Sequence, residues 1–279
     1  MKSYQQVFRR IEVKYLMNEE QYTELRFRMA EHMKPDRYGK TEILNIYYDT
    51  PDHRLIRESL AAPVYKEKLR LRSYGIPDSG SPAFIELKKK YKGVVYKRRI
   101  DMSYDQAQDY LRTRIAPEVR PEDLQIRKEI DYFFRIYPEL APQMVLSYDR
   151  IALAGTEDPE FRVTFDSNIR WRDNHLDLKW GNGGEPLLLP GQRLMEVKCA
   201  GGMPLWLSRD LSELGIVKTS FSKYGRAYEA ALLRDREAGS LQWVPSRSGY
   251  YKQYTAPRKN TAGKTVPAMP AVSAAAAIR

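Results

Sequence analysis

Charged and apolar residues alternate along much of this chain, most clearly between residues 65 and 99. In residues 66–72 (KEKLRLR) every even position is Lys or Arg, and in residues 84–88 (FIELK) both charged residues again occupy even positions. Side chains of a β-strand point alternately to the two faces of a sheet, so a period of two predicts strands with one basic and one apolar face. We expect an anionic ligand against the basic face.

The same alternation recurs along the chain, with helical segments between the strands. Strands are predicted over residues 7–16, 43–49, 66–72, 84–91, 94–100, 145–153, 161–171 and 194–199. Helices are predicted over residues 19–33, 54–59, 104–114, 122–135, 205–214 and 223–238. Asn18 with Gln21 and Ser103 with Gln106 have the spacing of capping boxes, Ser222 is a candidate N-cap, and Pro35 is expected to stop the first helix.

Composition predicts a globular protein, since 42% of the 279 residues are hydrophobic and 30% are charged. No run of about 18 apolar residues is present, so no transmembrane helix is expected. The first fifteen residues lack the apolar core of a signal peptide. Cys199 is the single cysteine, which leaves no partner for an intramolecular disulfide. These features together predict a cytoplasmic location.

The net charge of +11 is unevenly distributed. Residues 64–99 contain eleven Lys/Arg and three Asp/Glu, and residues 240–279 contain six Lys/Arg and no acid, so the remainder is slightly acidic. From residue 239 onward the composition shifts to Ser, Pro, Lys and Ala, which is typical of disorder. We therefore predict one domain over residues 1–238 and a basic, low-complexity tail over residues 239–279.

Two architectures explain strands with alternating charge. One is an ordinary sheet whose charged face lies in water, the commonest cause of alternation. The other is a closed antiparallel barrel of about eight strands, with polar residues pointing inward around an ionic ligand and helices packed outside. A solvated face usually mixes charge signs, because like charges on adjacent strands repel. The excess of Lys and Arg therefore favours the barrel, in the α+β class.

Common catalytic motifs are missing from the sequence. No P-loop, no GxGxxG turn opening a helix and no GxSxG elbow is present. The histidines at positions 32, 53 and 175 are scattered and lack metal-ligand spacing. Chemistry on an anionic phosphate ligand would thus depend on charge and metal rather than on a histidine nucleophile.

An ordered set of short motifs resembles one known family. The motifs are IEVKY at 11–15, KLRLR at 68–72, FIELK at 84–88, SYDR at 147–150, FRVTF at 161–165, LMEVK at 194–198 and SFSKY at 220–224. Their order is similar to that of the VTC domain, the polyphosphate polymerase domain of the vacuolar transporter chaperone complex, which has bacterial relatives. The resemblance covers about residues 5–235 and implies a triphosphate tunnel metalloenzyme: an antiparallel tunnel that is basic inside and grips a triphosphate.

The resemblance implies roles for individual residues. Arg70, Arg72, Lys88 and Glu196 would be catalytic. The expected phosphate or substrate ligands are Lys14, Lys68, Arg70, Arg72, Lys88, Lys97, Tyr148, Arg150, Arg162, Lys198, Ser222 and Lys223. Glu196 would hold Mn²⁺ or Mg²⁺, with Glu12 as a second candidate ligand, because hard divalent cations prefer carboxylate oxygen.

The triphosphate tunnel metalloenzymes also include the CYTH-type triphosphatases and adenylate cyclases, whose first strand has the pattern ExExK. The first strand of this chain departs from that pattern. Residues 10–14 read RIEVK, so Arg replaces the first Glu and one acidic metal ligand is missing. This weakens a hydrolase or cyclase interpretation. Glu12 could equally pair with a tunnel cation, and Glu86 is expected to balance charge. Four residues are expected outside the basic face, at exposed positions: Glu67, Lys89, Lys90 and Arg98.

Three functions therefore stay open, led by a metal-dependent polymerase that transfers the γ-phosphoryl group of ATP to polyphosphate. The others are a triphosphatase or polyphosphatase and a polyphosphate-binding module without turnover. ATP and inorganic polyphosphate are the expected ligands, whereas specific nucleic-acid binding is not expected because the basic residues recur on strands throughout the domain. The vacuolar complex ties this domain to membrane segments, so a membrane protein is a candidate partner.

Overall fold

The computed structural model describes residues 11–92 and 94–238, together with the backbone of residues 241–246 and 249–254. The strands are β1 (Ile11–Met17), β2 (Met33–Asp49), β3 (Tyr65–Tyr74), β4 (Pro82–Tyr91), β5 (Val94–Ser103), β6 (Ala141–Gly155), β7 (Arg162–Arg172), β8 (Glu185–Pro186), β9 (Arg193–Cys199), β10 (Lys218–Thr219), β11 (Leu241–Ser246) and β12 (Gly249–Tyr254). The helices are α1 (Glu19–Met29), α2 (Arg54–Leu60), α3 (Tyr104–Thr113), α4 (Leu124–Ile136), α5 (Leu205–Glu213) and α6 (Lys223–Glu237).

Ten strands form one antiparallel sheet in the order β10-β1-β9-β7-β6-β2-β3-β4-β5, with β8 paired to β7 outside this path. The predicted closed barrel of about eight strands is therefore wrong. Within the described residues, β5 and β10 lie at opposite ends of the order and share no backbone pairing. β10 has only two residues, too few for a closing ladder. Alternating charge identifies the two faces of a strand but carries no information about which edges pair.

Side chains nevertheless connect distant parts of this open sheet. The short segment between β10 and α6 accepts a hydrogen bond from Lys14 Nζ of β1 at Phe221 O (2.9 Å) and from Lys68 Nζ of β3 at Ser222 Oγ (3.2 Å). The polar face is therefore concave, with strands from both ends of the order reaching the start of α6. We call this concave face the inner face.

The outer face is apolar and covered by helices, as predicted. In one buried cluster, alternate residues of β2, β3 and β4 pack against α3 and α4; Leu69 and Leu71 of β3 are both fully buried there. A second cluster joins β1, β7 and β9 to α1 and α5. Burial of these apolar side chains fixes which face of each strand points inward.

Local capping signals are confirmed. Asn18 with Gln21 and Ser103 with Gln106 form capping boxes, and Ser222 Oγ accepts the amide of Gly225 at the start of α6 (3.2 Å). The expected end of the first helix is wrong, because α1 ends at Met29 and Pro35 lies within β2. A register shift follows this proline in the pairing of β2 with β6, and such irregularities are where strands tolerate proline.

The C-terminal region forms a separate unit. The chain divides into Met1–Ala231 and Leu232–Arg279. Strands β11 and β12 pair as an antiparallel hairpin. The rest of the predicted tail lies outside the described residues. Among the described helices, none has the length and apolar character needed to cross a membrane.

The start of α2 depends on Asp49, the last residue of β2. Its fully buried carboxylate accepts hydrogen bonds from the amides of Thr50, Leu55 and Ile56 at 2.8–3.0 Å, and from the hydroxyl of Tyr224 at 2.9 Å. These bonds join β2, α2 and α6 at a single side chain.

We expect Asp49→Ala to lower the free energy of unfolding by about 3 kcal/mol, because several buried donors lose their acceptor. Urea denaturation measures this change. The control is Glu58→Ala, which removes an exposed ion pair with Arg54 on the same helix and is expected to cost about 0.5 kcal/mol or less. Equal losses in the two variants would contradict the role of Asp49.

Candidate functional site

The inner face concentrates positive charge. Seven strands and the first residue of α6 contribute eleven cations and four carboxylates to it. They are Glu12, Lys14, Lys68, Arg70, Arg72, Glu86, Lys88, Lys97, Arg99, Arg150, Arg162, Asp166, Glu196, Lys198 and Lys223. The sequence predicted this face and most of these residues. The carboxylates organise the cations into two clusters.

Glu86 is the centre of the first cluster. Its side chain is buried, and it lies 2.6 Å from Arg70, 2.8 Å from Lys97, 3.8 Å from Arg72 and 3.9 Å from Arg99. Burial by itself would raise the pKa of Glu86, but the charges of Arg70, Arg72 and Lys97 hold it well below its usual range. Glu86 therefore stays ionised and balances charge, as predicted, which leaves it unsuited to coordinating a metal.

Asp166 begins the second cluster. It is fully buried and receives a bidentate contact from Arg150 at 2.6 and 2.7 Å and a contact from Lys223 Nζ at 2.5 Å. Asp166 lies in the predicted strand over residues 161–171 but was not among the candidate site residues. Its oxygens are occupied by two cations, so Asp166 fixes Arg150 and Lys223 in place.

Glu196 lies beside Asp166 and has looser contacts. Lys14 and Lys223 approach its Oε1 at 3.4 Å, while Lys198 and Arg150 approach its Oε2 at 3.7 and 3.8 Å. Burial would raise the pKa of Glu196, but Lys223, Lys14 and Arg150 hold it well below its usual range. Its carboxylate is therefore ionised and surrounded by cations, without short hydrogen bonds to them.

These carboxylates are the side chains of the inner face that could coordinate a divalent metal ion. Within the described residues, no group of three or more metal-ligating side chains comes together. Magnesium-type ions are commonly held by one or two carboxylates, with substrate phosphates and water completing the shell. Glu196 fits that role because its contacts are long, and Glu12 contacts the same Lys14 as Glu196, at 3.6 Å. Asp166 and Glu86 do not fit, because short ion pairs occupy them.

Lys68 and Lys88 are inner-face cations without a short ion pair to any described residue. They lie directly opposite each other on β3 and β4, and Lys97 of β5 lies opposite Lys88. In the described part of the chain, neither Lys68 nor Lys88 has a carboxylate within 4 Å. Loss of hydration next to the sheet and neighbouring cations lower the pKa of Lys88, although part of its side chain is exposed, and they lower the pKa of Lys68 to about 8. Two uncompensated ammonium groups side by side favour an anion between them.

Arg162 and Lys198 are neighbours on β7 and β9. Arg162 is exposed, and by alternation it shares the inner face with Asp166. Lys198 belongs to the second cluster through its contact with Glu196, and Arg162 lies beside Lys198 with an exposed side chain.

Tyr148 and Arg72 form part of a buried hydrogen-bond chain. Arg72 donates to the Tyr148 hydroxyl at 3.2 Å and to Asn45 Oδ1 at 2.9 Å. The Tyr148 hydroxyl accepts this bond from Arg72, and phosphate binding by Tyr148 stays a prediction. Because these contacts fix the guanidinium of Arg72, its orientation is set by the protein.

Two inner-face residues of β2 were missed as site residues. Asn45 supports Arg72, and the Tyr47 hydroxyl accepts from Arg70 at 3.0 Å while its ring stacks on Tyr224. Asn45 and Tyr47 alternate with the buried Leu44, Ile46 and Tyr48 of the outer face. This alternation was the sequence signal that could have placed Asn45 and Tyr47 on the inner face.

The expected exposed positions need correction in part. Lys89 and Arg98 pair with Glu129 of α4 and lie outside the basic face, as predicted. Glu67 also lies outside it but is buried, where the hydroxyls of Tyr65 and Tyr137 donate to it at 2.6 and 2.9 Å. Two neighbouring tyrosines far apart in sequence stabilise this burial.

Lys90 is the remaining member of that set. It lies opposite Lys66 and shares the alternation of Lys88 on β4, so Lys66 and Lys90 extend the basic row past Lys88, beyond the eleven cations named above. The sequence did not reveal the inward position of Lys90, because the three consecutive lysines at 88–90 show no alternation between charged and apolar residues.

The VTC domain family matches residues 9–232 of the chain. The chain belongs to the VTC domain family. This confirms the resemblance carried by the seven motifs. The match includes every candidate site residue of the inner face.

Two solved structures are similar to this VTC domain. A Bacillus halodurans protein named for a proposed adenylate cyclase activity shares 15% identity, with 76% of this chain and 92% of that chain covered and a TM-score of 0.47. A Hippeastrum protein described as having dominant triphosphatase activity shares 16% identity, with coverage of 79% and 96% and a TM-score of 0.45. TM-scores this low establish neither fold nor activity for the chain. A comparison with curated protein sequences gives no match.

We expect Lys88→Ala to weaken binding of inorganic tripolyphosphate about tenfold, because hydrogen bonds to charged groups contribute roughly 1.5–3 kcal/mol. Isothermal titration calorimetry measures the dissociation constant. Lys128→Ala is the control, since Lys128 is exposed on α4, away from the inner face. An unchanged dissociation constant for Lys88→Ala would show that the unpaired ammonium does not face the ligand.

Binding of tripolyphosphate near pH 8 is expected to take up protons. The pKa of Lys68 is about 8 in the free protein, and a bound polyanion raises it, so affinity falls as pH rises through this value. Calorimetry at pH 8 in two buffers of different ionisation enthalpy measures the uptake. Lys68→Met should reduce it and Lys128→Met should not; equal uptake in both variants would refute the assignment.

Proposed function

We propose that this protein is a metal-dependent polyphosphate polymerase that transfers the γ-phosphoryl group of ATP to the end of a polyphosphate chain. The observation that carries the proposal is the excess of inner-face cations around the ionised carboxylate of Glu196. The family match supports a function on polyphosphate or a related triphosphate. The polymerase activity itself and the choice of Mn²⁺ or Mg²⁺ are part of the proposal.

In the proposed reaction, a terminal oxygen of the polyphosphate chain attacks the γ-phosphorus of ATP. The bond between the γ-phosphorus and the bridging oxygen breaks, and ADP leaves with that electron pair. Arg70, Arg72 and Lys88 would bind the phosphates and stabilise the charge that moves onto the leaving group. A divalent ion held by Glu196 would supply further charge neutralisation. Phosphoryl transfer of this kind requires positioning and charge more than a protein nucleophile.

The histidines support a mechanism without a histidine nucleophile. His32 stacks on Trp206, His175 packs against Trp180 and His53 lies at the start of α2 beside Tyr228. None of the three belongs to the inner face. The phosphate chain end is already an anionic nucleophile and needs no deprotonation.

The low basicity of the three buried inner-face carboxylates favours transfer to polyphosphate over hydrolysis. A water nucleophile benefits from a general base whose pKa lies near the working pH. The pKa values of Asp166, Glu196 and Glu86 are all lowered by neighbouring cations, which makes each a weak base. The site is therefore better suited to an acceptor that arrives ionised.

Incubation of the purified protein with [γ-³²P]ATP and Mn²⁺ or Mg²⁺, followed by gel electrophoresis, tests the proposal. We expect a ladder of labelled chains. Labelled orthophosphate without longer chains would identify a triphosphatase. Retention of polyphosphate without turnover of ATP would identify a binding module.

In the same assay, Glu196→Gln is expected to reduce chain synthesis about 100-fold or more, as is typical when metal coordination is disturbed. Binding of tripolyphosphate should be retained or strengthened, because four cations lose a competing carboxylate. Glu58→Gln on the surface of α2 is the control. Wild-type synthesis by Glu196→Gln would refute the assignment of Glu196 as metal ligand.

A further inference from the structure

The inner face changes character along its length. On β3 the inward positions read Lys68, Arg70, Arg72 and then Tyr74, and on β4 the cations give way to Phe84. One end of the face is therefore lysine-rich, and the other end is aromatic. Neither the charge pattern nor the proposed transfer reaction accounts for the aromatic end.

The aromatic residues form a compact group around Arg99 of β5. The rings of Tyr74 and Phe84 lie 5.5 Å apart at 74°. The Arg99 guanidinium lies 3.5 Å from the Phe84 ring centroid and 5.7 Å from that of Tyr74. Tyr74 remains 47% exposed. The group thus presents an aromatic ring and a planar cation to solvent.

Register places this group directly beyond the phosphate-binding cations. Phe84 lies opposite Arg72, and Tyr74 follows Arg72 by two residues on the same face. Phe84 and Lys88 are four residues apart on β4, about 14 Å in an extended strand. That length accommodates a ribose and phosphates between the aromatic group and the unpaired lysines.

The surrounding wall at this end is also apolar. Tyr74 pairs in register with Ile43 of β2. Ile43 belongs to a buried cluster that includes Leu194 of β9 and Phe221 before α6. An apolar wall beside a planar cation suits a flat heteroaromatic ring better than a further phosphate.

We propose that Tyr74, Phe84 and Arg99 form a nucleobase-binding subsite that orients a nucleoside triphosphate along the inner face. The base stacks on the exposed ring of Tyr74 and the guanidinium of Arg99, and the triphosphate extends toward Lys68 and Lys88. Stacking platforms tolerate different bases because every base offers a π-face. The inference rests on the proposed binding of ATP and adds the group that distinguishes ATP from inorganic triphosphate.

The test compares the affinities of the full-length protein for ATP and for inorganic tripolyphosphate by calorimetry. Tyr74→Ala is expected to weaken ATP binding about tenfold, the range of stacking on one aromatic side chain. Binding of tripolyphosphate should change less than about twofold, because no phosphate-binding cation is removed. Tyr74→Phe keeps the ring and should retain the wild-type affinity for ATP.

Tyr96→Ala is the matched control, because Tyr96 is 48% exposed on β5 and alternates with the inward residues Lys97 and Arg99. Unchanged ATP binding by Tyr74→Ala overturns the subsite, as does an equal loss for both ligands. Either result leaves phosphate binding by the inner face intact. Failure of the wild-type protein to bind either ligand overturns the proposed function and the subsite together. Melting temperatures verify that each variant is folded.

Discussion

Lys223 contacts two buried carboxylates at once, Asp166 of β7 and Glu196 of β9, and the rest of the inner face depends on this contact. Neither carboxylate could remain ionised at such burial without cations, and Lys223 would be equally costly without the carboxylates. The contact fixes the start of α6 against the sheet. It also positions Arg150, which shares Asp166. The buried charged side chains of the inner face are therefore stable only because carboxylates and cations neutralise one another.

In one part of the inner face, the positive charges are not balanced by the described carboxylates. Glu86, Asp166 and Glu196 each hold several cations, yet Lys68 and Lys88 have no carboxylate nearby among the described residues. Compensated cations lie around the clusters, while uncompensated ones face each other across β3 and β4. Cations such as Arg70 and Arg72 are held by Glu86 and are also proposed phosphate ligands, whereas no described carboxylate holds Lys68 or Lys88. A bound polyphosphate anion would complete the balance, so the ligand is also expected to stabilise the fold.

Backbone closure is not required for this arrangement. The sheet is open, but Lys14 and Lys68 reach Phe221 and Ser222 from opposite parts of the strand order. Long, flexible lysine side chains span a gap that a two-residue β10 cannot close by pairing. The inner face is consequently concave and accessible, with lysines at one end and Tyr74, Phe84 and Arg99 at the other. In the proposed subsite, this asymmetry would give a bound nucleotide a direction.

The sequence by itself determined the two faces of most strands, the helix caps at Asn18, Ser103 and Ser222, and the family, because period-two alternation and capping depend on neighbours a few residues apart. Tertiary structure decided what depends on distant residues. Only the folded chain shows that β5 and β10 do not pair, and that Glu67 is buried between Tyr65 and Tyr137. Ion-pair partners were decided in the same way, because residues such as Asp166 and Lys223 meet only when strands and helix are assembled.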